Sequence, residues 1–136
     1  MLMGLGHMGF VVADMKKSVH FYCDILGFEY VREINDDKGR PWITFVRLPS
    51  GQTIELFYGG VRKFVPQNND PAGFMHMCLE VDDINTIPPL LEKNSVKVDS
   101  MPRQGRDLNF QCWAKDPDGN AIEFMQIDSR SPQANS

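Results

Sequence analysis

Two histidines and two glutamates carry the chemistry legible in this chain. Gly6-His7-Met8-Gly9-Phe10-Val11-Val12-Ala13-Asp14 lies over Met75-His76-Met77-Cys78-Leu79-Glu80-Val81-Asp82-Asp83, which sets His7 on His76. Pro49-Ser50-Gly51-Gln52-Thr53-Ile54-Glu55-Leu56-Phe57 lies over Pro117-Asp118-Gly119-Asn120-Ala121-Ile122-Glu123-Phe124-Met125, which sets Glu55 on Glu123. The offsets are 69 at the histidines and 68 at the glutamates, so the chain reads as two copies of one module. A lone strand histidine is usually a packing residue and a lone glutamate is usually solvated. Four such groups at equivalent repeat positions are a different matter. Gathered on one partly enclosed face, they would lose several kcal/mol of solvation for each charge without a partner. A divalent cation resolves this, because two neutral imidazoles and two carboxylates supply four N/O donors and offset its charge. That donor set suits nickel, cobalt, manganese, iron or zinc, and octahedral coordination leaves two positions for water or substrate.

The elements that must position these groups follow from local pattern. Alternation puts Met8, Phe10 and Val12 on one strand face and His7, Gly9 and Val11 on the other; the same split separates Ile54, Leu56 and Tyr58 from Thr53, Glu55 and Phe57. In the second copy, Met77, Leu79 and Val81 oppose His76, Cys78 and Glu80, and Ile122 and Phe124 oppose Ala121, Glu123 and Met125. Met15, Val19, Tyr22 and Leu26 form one helical stripe, with Asp14 as N-cap and Gly27 as the left-handed stop. Strands are expected near 29–34, 42–48 and 53–58, then near 75–81, 96–101, 109–115 and 121–127. The second helix carries Pro88-Pro89, tolerable if Thr86 caps it and both prolines fall in the first turn. The expected class is therefore α+β: two βαβββ modules, about 4–60 and 73–128, making cupped mixed sheets around the site within one domain spanning 4–128. Residues 67–71 read as the linker and 129–136 as a frayed polar tail.

Composition bounds the rest. The chain has 136 residues, 42% hydrophobic and 24% charged, with a formal net charge of −4, the balance of a folded rather than a disordered chain. No basic run offers a footprint for nucleic acid, no apolar run approaches a membrane span, and no leader is evident, so a cytoplasmic protein is expected. Cys23, Cys78 and Cys112 lack any C-x-x-C pairing and read as reduced, mostly buried thiols. His20 has no repeat counterpart and reads as a surface residue.

The pattern resembles the vicinal oxygen chelate superfamily, which includes glyoxalase I, methylmalonyl-CoA epimerase, extradiol dioxygenases, fosfomycin-resistance enzymes and bleomycin-binding proteins. The resemblance runs from Gly6 to Gln126 through His7-Met8-Gly9-Phe10-Val11-Val12, Phe21-Tyr22, Ile25-Leu26-Gly27-Phe28, Ile54-Glu55-Leu56, His76 to Asp83 and Asp116 to Glu123. It implies that His7, Glu55, His76 and Glu123 are the metal ligands and that the chain is a homodimer. Asp116-Pro117-Asp118-Gly119 and the ligand set are similar to bacterial glyoxalase I, whereas Ala72 to Ile84 looks closer to methylmalonyl-CoA epimerase. The glutathione anchors of glyoxalase I are replaced here by Val11 and Gly59. The epimerase's general base falls at Asp37 or Lys38, which reads as a solvated turn.

The expectation is thus a metal-dependent lyase or isomerase, glyoxalase I-like, acting on a small α-hydroxycarbonyl or thioester-type substrate through an enediolate, with Glu55 or Glu123 moving the proton. Arg103 and Arg106 are candidate anchors for a substrate carboxylate or phosphate, though solvated loop arginines look the same in sequence. Trp113, with Trp42 and Phe110, could line the substrate pocket, although core packing is the commoner fate of such residues. The alternatives are an epimerase-like isomerase, an Fe(II) extradiol-type dioxygenase using His7, His76 and Glu123, and a non-catalytic drug-binding module. Glu55 argues against the dioxygenase, and the full ligand set argues against the binding module.

Overall fold

The computed structural model describes residues 1–62 and 72–135, so the linker expected at 67–71 lies outside the described residues. The chain divides into two compact units, residues 1–63 and 64–136. In the first, β1 (His7–Val11), α1 (Met15–Val19), β2 (Glu29–Asn35), β3 (Pro41–Arg47) and β4 (Thr53–Phe57) follow in order. In the second come β5 (Met77–Glu80), α2 (Ile87–Lys93), β6 (Val98–Gln104), β7 (Phe110–Lys115) and β8 (Ala121–Gln126). The two sheets are ordered β1-β4-β3-β2 and β5-β8-β7-β6, and in each the first strand pairs parallel with the last while the other pairs are antiparallel. Both units therefore have the βαβββ order that the repeat implies.

Alternation delivers the cores. Phe10, Val12, Ile43, Val46, Ile54 and Leu56 are buried in the first unit; Met77, Leu79, Cys112, Ala114, Ile122 and Phe124 are buried in the second. Each fully buried aliphatic side chain of this kind stabilises the fold by roughly 1.5–3 kcal/mol before its ordering cost. The stretch after Asp14 is helical as expected, with the Asp14 carboxylate accepting from the Lys17 amide at 3.2 Å and Gly27 at φ +78°. Its buried side is not the predicted stripe, however. The α-helix widens into a π-helical segment, His20–Ile25, and the buried residues are Met15, Ser18, Phe21, Tyr22 and Ile25, with Val19 and Leu26 only half-buried. The wider turn rotates the face, so Phe21 and Tyr22 enter the core side by side. Ser18 stays satisfied there by donating to the Asp14 carbonyl oxygen at 3.2 Å.

In the second unit Thr86 holds the N-cap position of α2, as expected, but makes no side-chain capping bond, and the side-chain cap is supplied one turn earlier by Asp83. Asp83 has extended backbone and accepts from the Asn85 amide at 2.9 Å, opening a 3-10 turn at Ile84–Thr86 that leads into α2. Thr86 is itself helical, and its hydroxyl donates back to the Asp83 carbonyl oxygen at 2.7 Å. The prolines still fall in the first turn of α2. Asp83 is the repeat partner of Asp14, so the two modules begin their helices alike. The tail is not frayed either: Pro132–Asn135 forms a 3-10 turn and Ser131 is fully buried. Among the described residues no helix is long and apolar enough to cross a membrane.

Candidate metal centre in two half-sites

The turns preceding β4 and β8 are built alike. Leu48 N–H donates to the Gln52 carbonyl and Gly51 N–H to the Leu48 carbonyl; Asp116 N–H donates to the Asn120 carbonyl and Gly119 N–H to the Asp116 carbonyl. Gly51 and Gly119 take φ of +99° and +94°, where an L side chain would be strained. The buried Asp116 carboxylate also accepts from the amides of Asp118 and Asn120 and from the Asn120 side chain. These turns set the register of the strands that carry the glutamates.

Glu55 then lies opposite Gly9 on β1 and Phe45 on β3, and Glu123 opposite Cys78 on β5 and Trp113 on β7. The histidine of each unit sits diagonally across, His7 at the start of β1 and His76 immediately before β5. In the first unit, His7 Nδ1 is 3.5 Å from Glu55 Oε1, with the side chains 54% and 16% exposed. In the second, His76 Nε2 is 3.0 Å from Glu123 Oε2, with the side chains 27% and 11% exposed. The second pair is the tighter and drier. The Trp113 ring meets the His76 ring edge-on, centroids 4.8 Å apart, and its indole N–H donates to Gln111 Oε1 at 2.8 Å.

These separations bear on a metal. Two ligands about 2.1 Å from one ion, at adjacent positions around it, lie roughly 3.0–3.4 Å apart. Each imidazole–carboxylate pair therefore fits one edge of a coordination sphere. The His76 spacing also serves a simple hydrogen bond. His76 Nδ1 is buried without a hydrogen-bond partner among the described residues, unlike the usual ligating histidine, whose second nitrogen is held by a carboxylate or carbonyl. Among the described residues no group of three or more His, Cys, Asp or Glu side chains is gathered into a metal site. The structure thus brings His7 to Glu55 and His76 to Glu123, and the four-ligand set rests on the repeat.

Of the other expected residues, Arg103 lies within β6 rather than in a loop. Its register partner is Gln111, two residues from Trp113, which puts it on the face of Glu123. Arg106 is exposed in the turn between β6 and β7. Trp113 is half-buried beside His76, while Trp42 and Phe110 are largely exposed, so none of the three belongs to the core. Asp37 is exposed at a hairpin tip. His20 is a surface residue, paired with Asp24 at 2.7 Å.

Cys78 was not foreseen as a functional residue. It is exposed, where a buried thiol was expected, and it lies opposite Glu123 in the strand register. Partial burial of the thiol, then the Glu123 charge, push its pKa up to about 12. Its place two residues after His76, on the histidine's side of the strand, was the available signal.

The chain has named relatives. It is 32% identical over 133 residues to a probable lactoylglutathione lyase of Synechocystis sp. (strain ATCC 27184 / PCC 6803 / Kazusa), covering 94% of this chain and 98% of that protein. It is 28% identical over 120 residues to the uncharacterized protein YaeR of Escherichia coli (strain K12), covering 88% and 93%. A glyoxylase/bleomycin resistance protein/dioxygenase domain from Frankia sp. EAN1pec superposes with a TM-score of 0.77 at 22% identity, over 94% of this chain and 100% of that one, a likeness of fold. The sequence profile of the Glyoxalase/Bleomycin resistance protein/Dioxygenase superfamily matches residues 4–124. With that match over most of its length, and with a half-site repeated in both sheets, the chain belongs to this superfamily.

Proposed function

We propose that the protein is a divalent-metal-dependent lyase or isomerase of the glyoxalase I-like type, moving a proton at the carbon beside a carbonyl of a small α-hydroxycarbonyl or thioester-type substrate. The observation that carries this reading is the recurrence of an imidazole–carboxylate pair at the same repeat position in both units, at 3.5 and 3.0 Å. His7, Glu55, His76 and Glu123 would hold the ion, whether nickel, cobalt, zinc or manganese, which when bound supplies Lewis-acid stabilisation of charge developing on the substrate oxygen. The glutamates are the groups in reach to take the proton from carbon and return it. Arg103, on the Glu123 face, and Arg106 would anchor an anionic part of the substrate, with Trp113 as an apolar wall. The name of the Synechocystis relative supports a lyase of this kind.

Glutathione is not the expected handle. Val11 offers no polar group, and Gly59 has φ +108°, a backbone setting that disfavours an asparagine there. Glu55, 3.5 Å from His7, also speaks against the iron dioxygenase arrangement, since a fourth protein ligand takes a position that oxygen or substrate needs. A homodimer belongs to the same proposal, with light scattering as its check. The deciding experiment loads purified protein with each metal and measures stoichiometry in the wild type and in His76→Ala. Uptake that is lost in the variant is expected; no stoichiometric nickel, cobalt, manganese or zinc in the wild type defeats the proposal. Deuterium wash-in at the substrate α-carbon then supports proton transfer, turnover of the hemithioacetal of methylglyoxal against methylmalonyl-CoA decides between the two isomerases, and oxygen uptake with catechols would reveal a dioxygenase.

A further inference from the structure

The first unit has a cleft on the sheet face opposite Glu55. Glu33 on β2 lies in register with Thr44 on β3, and Thr44 with Leu56 on β4, which belongs to the buried face. Tyr30 reaches the same face through a β-bulge. It sits opposite Val46 while Arg32 sits opposite Phe45, so the extra residue, Val31, turns Tyr30 and Glu33 to one side although they are three apart. Tyr58, next after Leu56 on that face, donates its hydroxyl to Glu33 Oε2 at 2.6 Å, and the Thr44 hydroxyl lies 3.5 Å from the same oxygen. The helical wall opposite is Met15, Lys16 and Val19, then His20 and Asp24 of the π-helical segment, paired at 2.7 Å. The cleft holds about 290 Å³, at the lower end of the range for small-molecule sites.

Glu33 is the group in this cleft whose charge is unanswered. Its neighbours are two neutral hydroxyls, both on Oε2; among the described residues it has no ion pair, and Oε1 accepts no hydrogen bond. Asp24 has His20, and Lys16 is the single Lys or Arg of the lining, set against two carboxylates. We propose that the cleft binds a small organic ammonium ion, with its N–H groups on Glu33 Oε1 and its apolar body against Met15 and Val19. A hydrogen bond charged on both sides is roughly twice as strong as a neutral one, and the two tyrosine rings that border Glu33 add the attraction of an aromatic face for a cation. The Tyr58 hydroxyl already holds the carboxylate in one orientation, so less freedom is lost when the ligand arrives. A neutral ligand of the same shape leaves the Glu33 charge unanswered, and an anion is repelled by it.

The test titrates phenethylamine into the full chain and follows the backbone amides by proton–nitrogen NMR. Saturable shifts at Tyr30, Glu33, Thr44 and Tyr58 are expected, with a Kd of about 1 mM for a ligand of this size. Phenethyl alcohol, the same shape without the charge, should bind about tenfold more weakly or worse. Glu33→Gln should weaken phenethylamine by about tenfold or more, while Glu29→Gln, which removes a carboxylate of the same strand paired with Arg47, stays within about twofold of wild type. Circular dichroism confirms that each variant is folded. Shifts that do not saturate, equal binding of the alcohol, or an unchanged Kd in Glu33→Gln overturns the proposal. Shifts confined to residues around His7 and Glu55 overturn it too, since they put the amine on the other face of the sheet. None of these outcomes bears on metal uptake, so the two readings stand or fall separately.

Discussion

Asn109 bonds four partners from within the second unit, and Asn109→Ala tests how the tail is held. It is fully buried. Its Nδ2 donates to Asp107 Oδ2 at 2.9 Å, to Gln133 Oε1 at 3.0 Å and to Met125 Sδ at 3.2 Å, while its Oδ1 accepts from the Asp128 amide at 2.9 Å. One side chain thus ties the β6–β7 turn, the strand that carries Glu123 and the C-terminal turn. Alanine strands the Asp128 amide and a carboxylate oxygen of Asp107, at roughly 1–3 kcal/mol for each buried group left unpaired. The losses share one network, so they do not simply add, and about 3 kcal/mol is expected in total. For a chain of this length that is a fall in Tm of about 10 °C. Urea unfolding followed by tryptophan fluorescence and circular dichroism measures it, with an unchanged m-value showing that the difference lies in stability. A loss under about 1 kcal/mol would show that water replaces these bonds and that the tail does not depend on Asn109.

Three further outcomes are expected. Gly60→Ala should cost about 2 kcal/mol in the same unfolding assay, because its Cβ would stand 2.7 Å from the Val12 carbonyl carbon, a backbone atom that cannot step aside; a neutral effect would refute the close approach. The Arg130 guanidinium bonded to Asp128 holds that carboxyl down at about 2, so its contribution is complete above the ordinary value of 3.8 and lost as pH falls through about 2. In Asp128→Asn the Tm deficit relative to wild type should close across that acid range, and a constant deficit would contradict the linkage. The Glu33 carboxylate, accepting from the Tyr58 hydroxyl at 2.6 Å, raises the Tyr58 pKa above 10, and the associated stability is present below the unfolded value and lost as pH rises through the folded one. Ultraviolet titration should therefore find a late-ionising tyrosine that Glu33→Gln brings to lower pH; superimposable curves would sink this.

The βαβββ order and the His/Glu pairing were legible because both are written twice. Alternation in β1 and β4 sorts His7 and Glu55 from the core; in β8 both faces are buried from Ile122 to Met125, and Glu123 is legible only through the repeat. The stripe expected after Asp14 follows 3.6 residues per turn, whereas the backbone widens there, and no residue between His20 and Ile25 announces the change. Thr86, adjoining the prolines, takes the N-cap position of α2, while the side-chain cap falls to Asp83, the repeat partner of Asp14. The tail's polar composition suggested solvation, but Asn109 buries the backbone there through side-chain hydrogen bonds that composition does not reveal. The standing of Cys78 depends on its cross-strand partner, and pairing register is not written in either strand alone.

In each unit the parallel pair joins the first strand to the last, so a histidine near one end of the module meets a glutamate some fifty residues further along. No contiguous fragment shorter than nearly the whole module contains both halves of a pair. The smallest contiguous piece of chain that carries such an imidazole–carboxylate pair is therefore nearly the complete βαβββ unit.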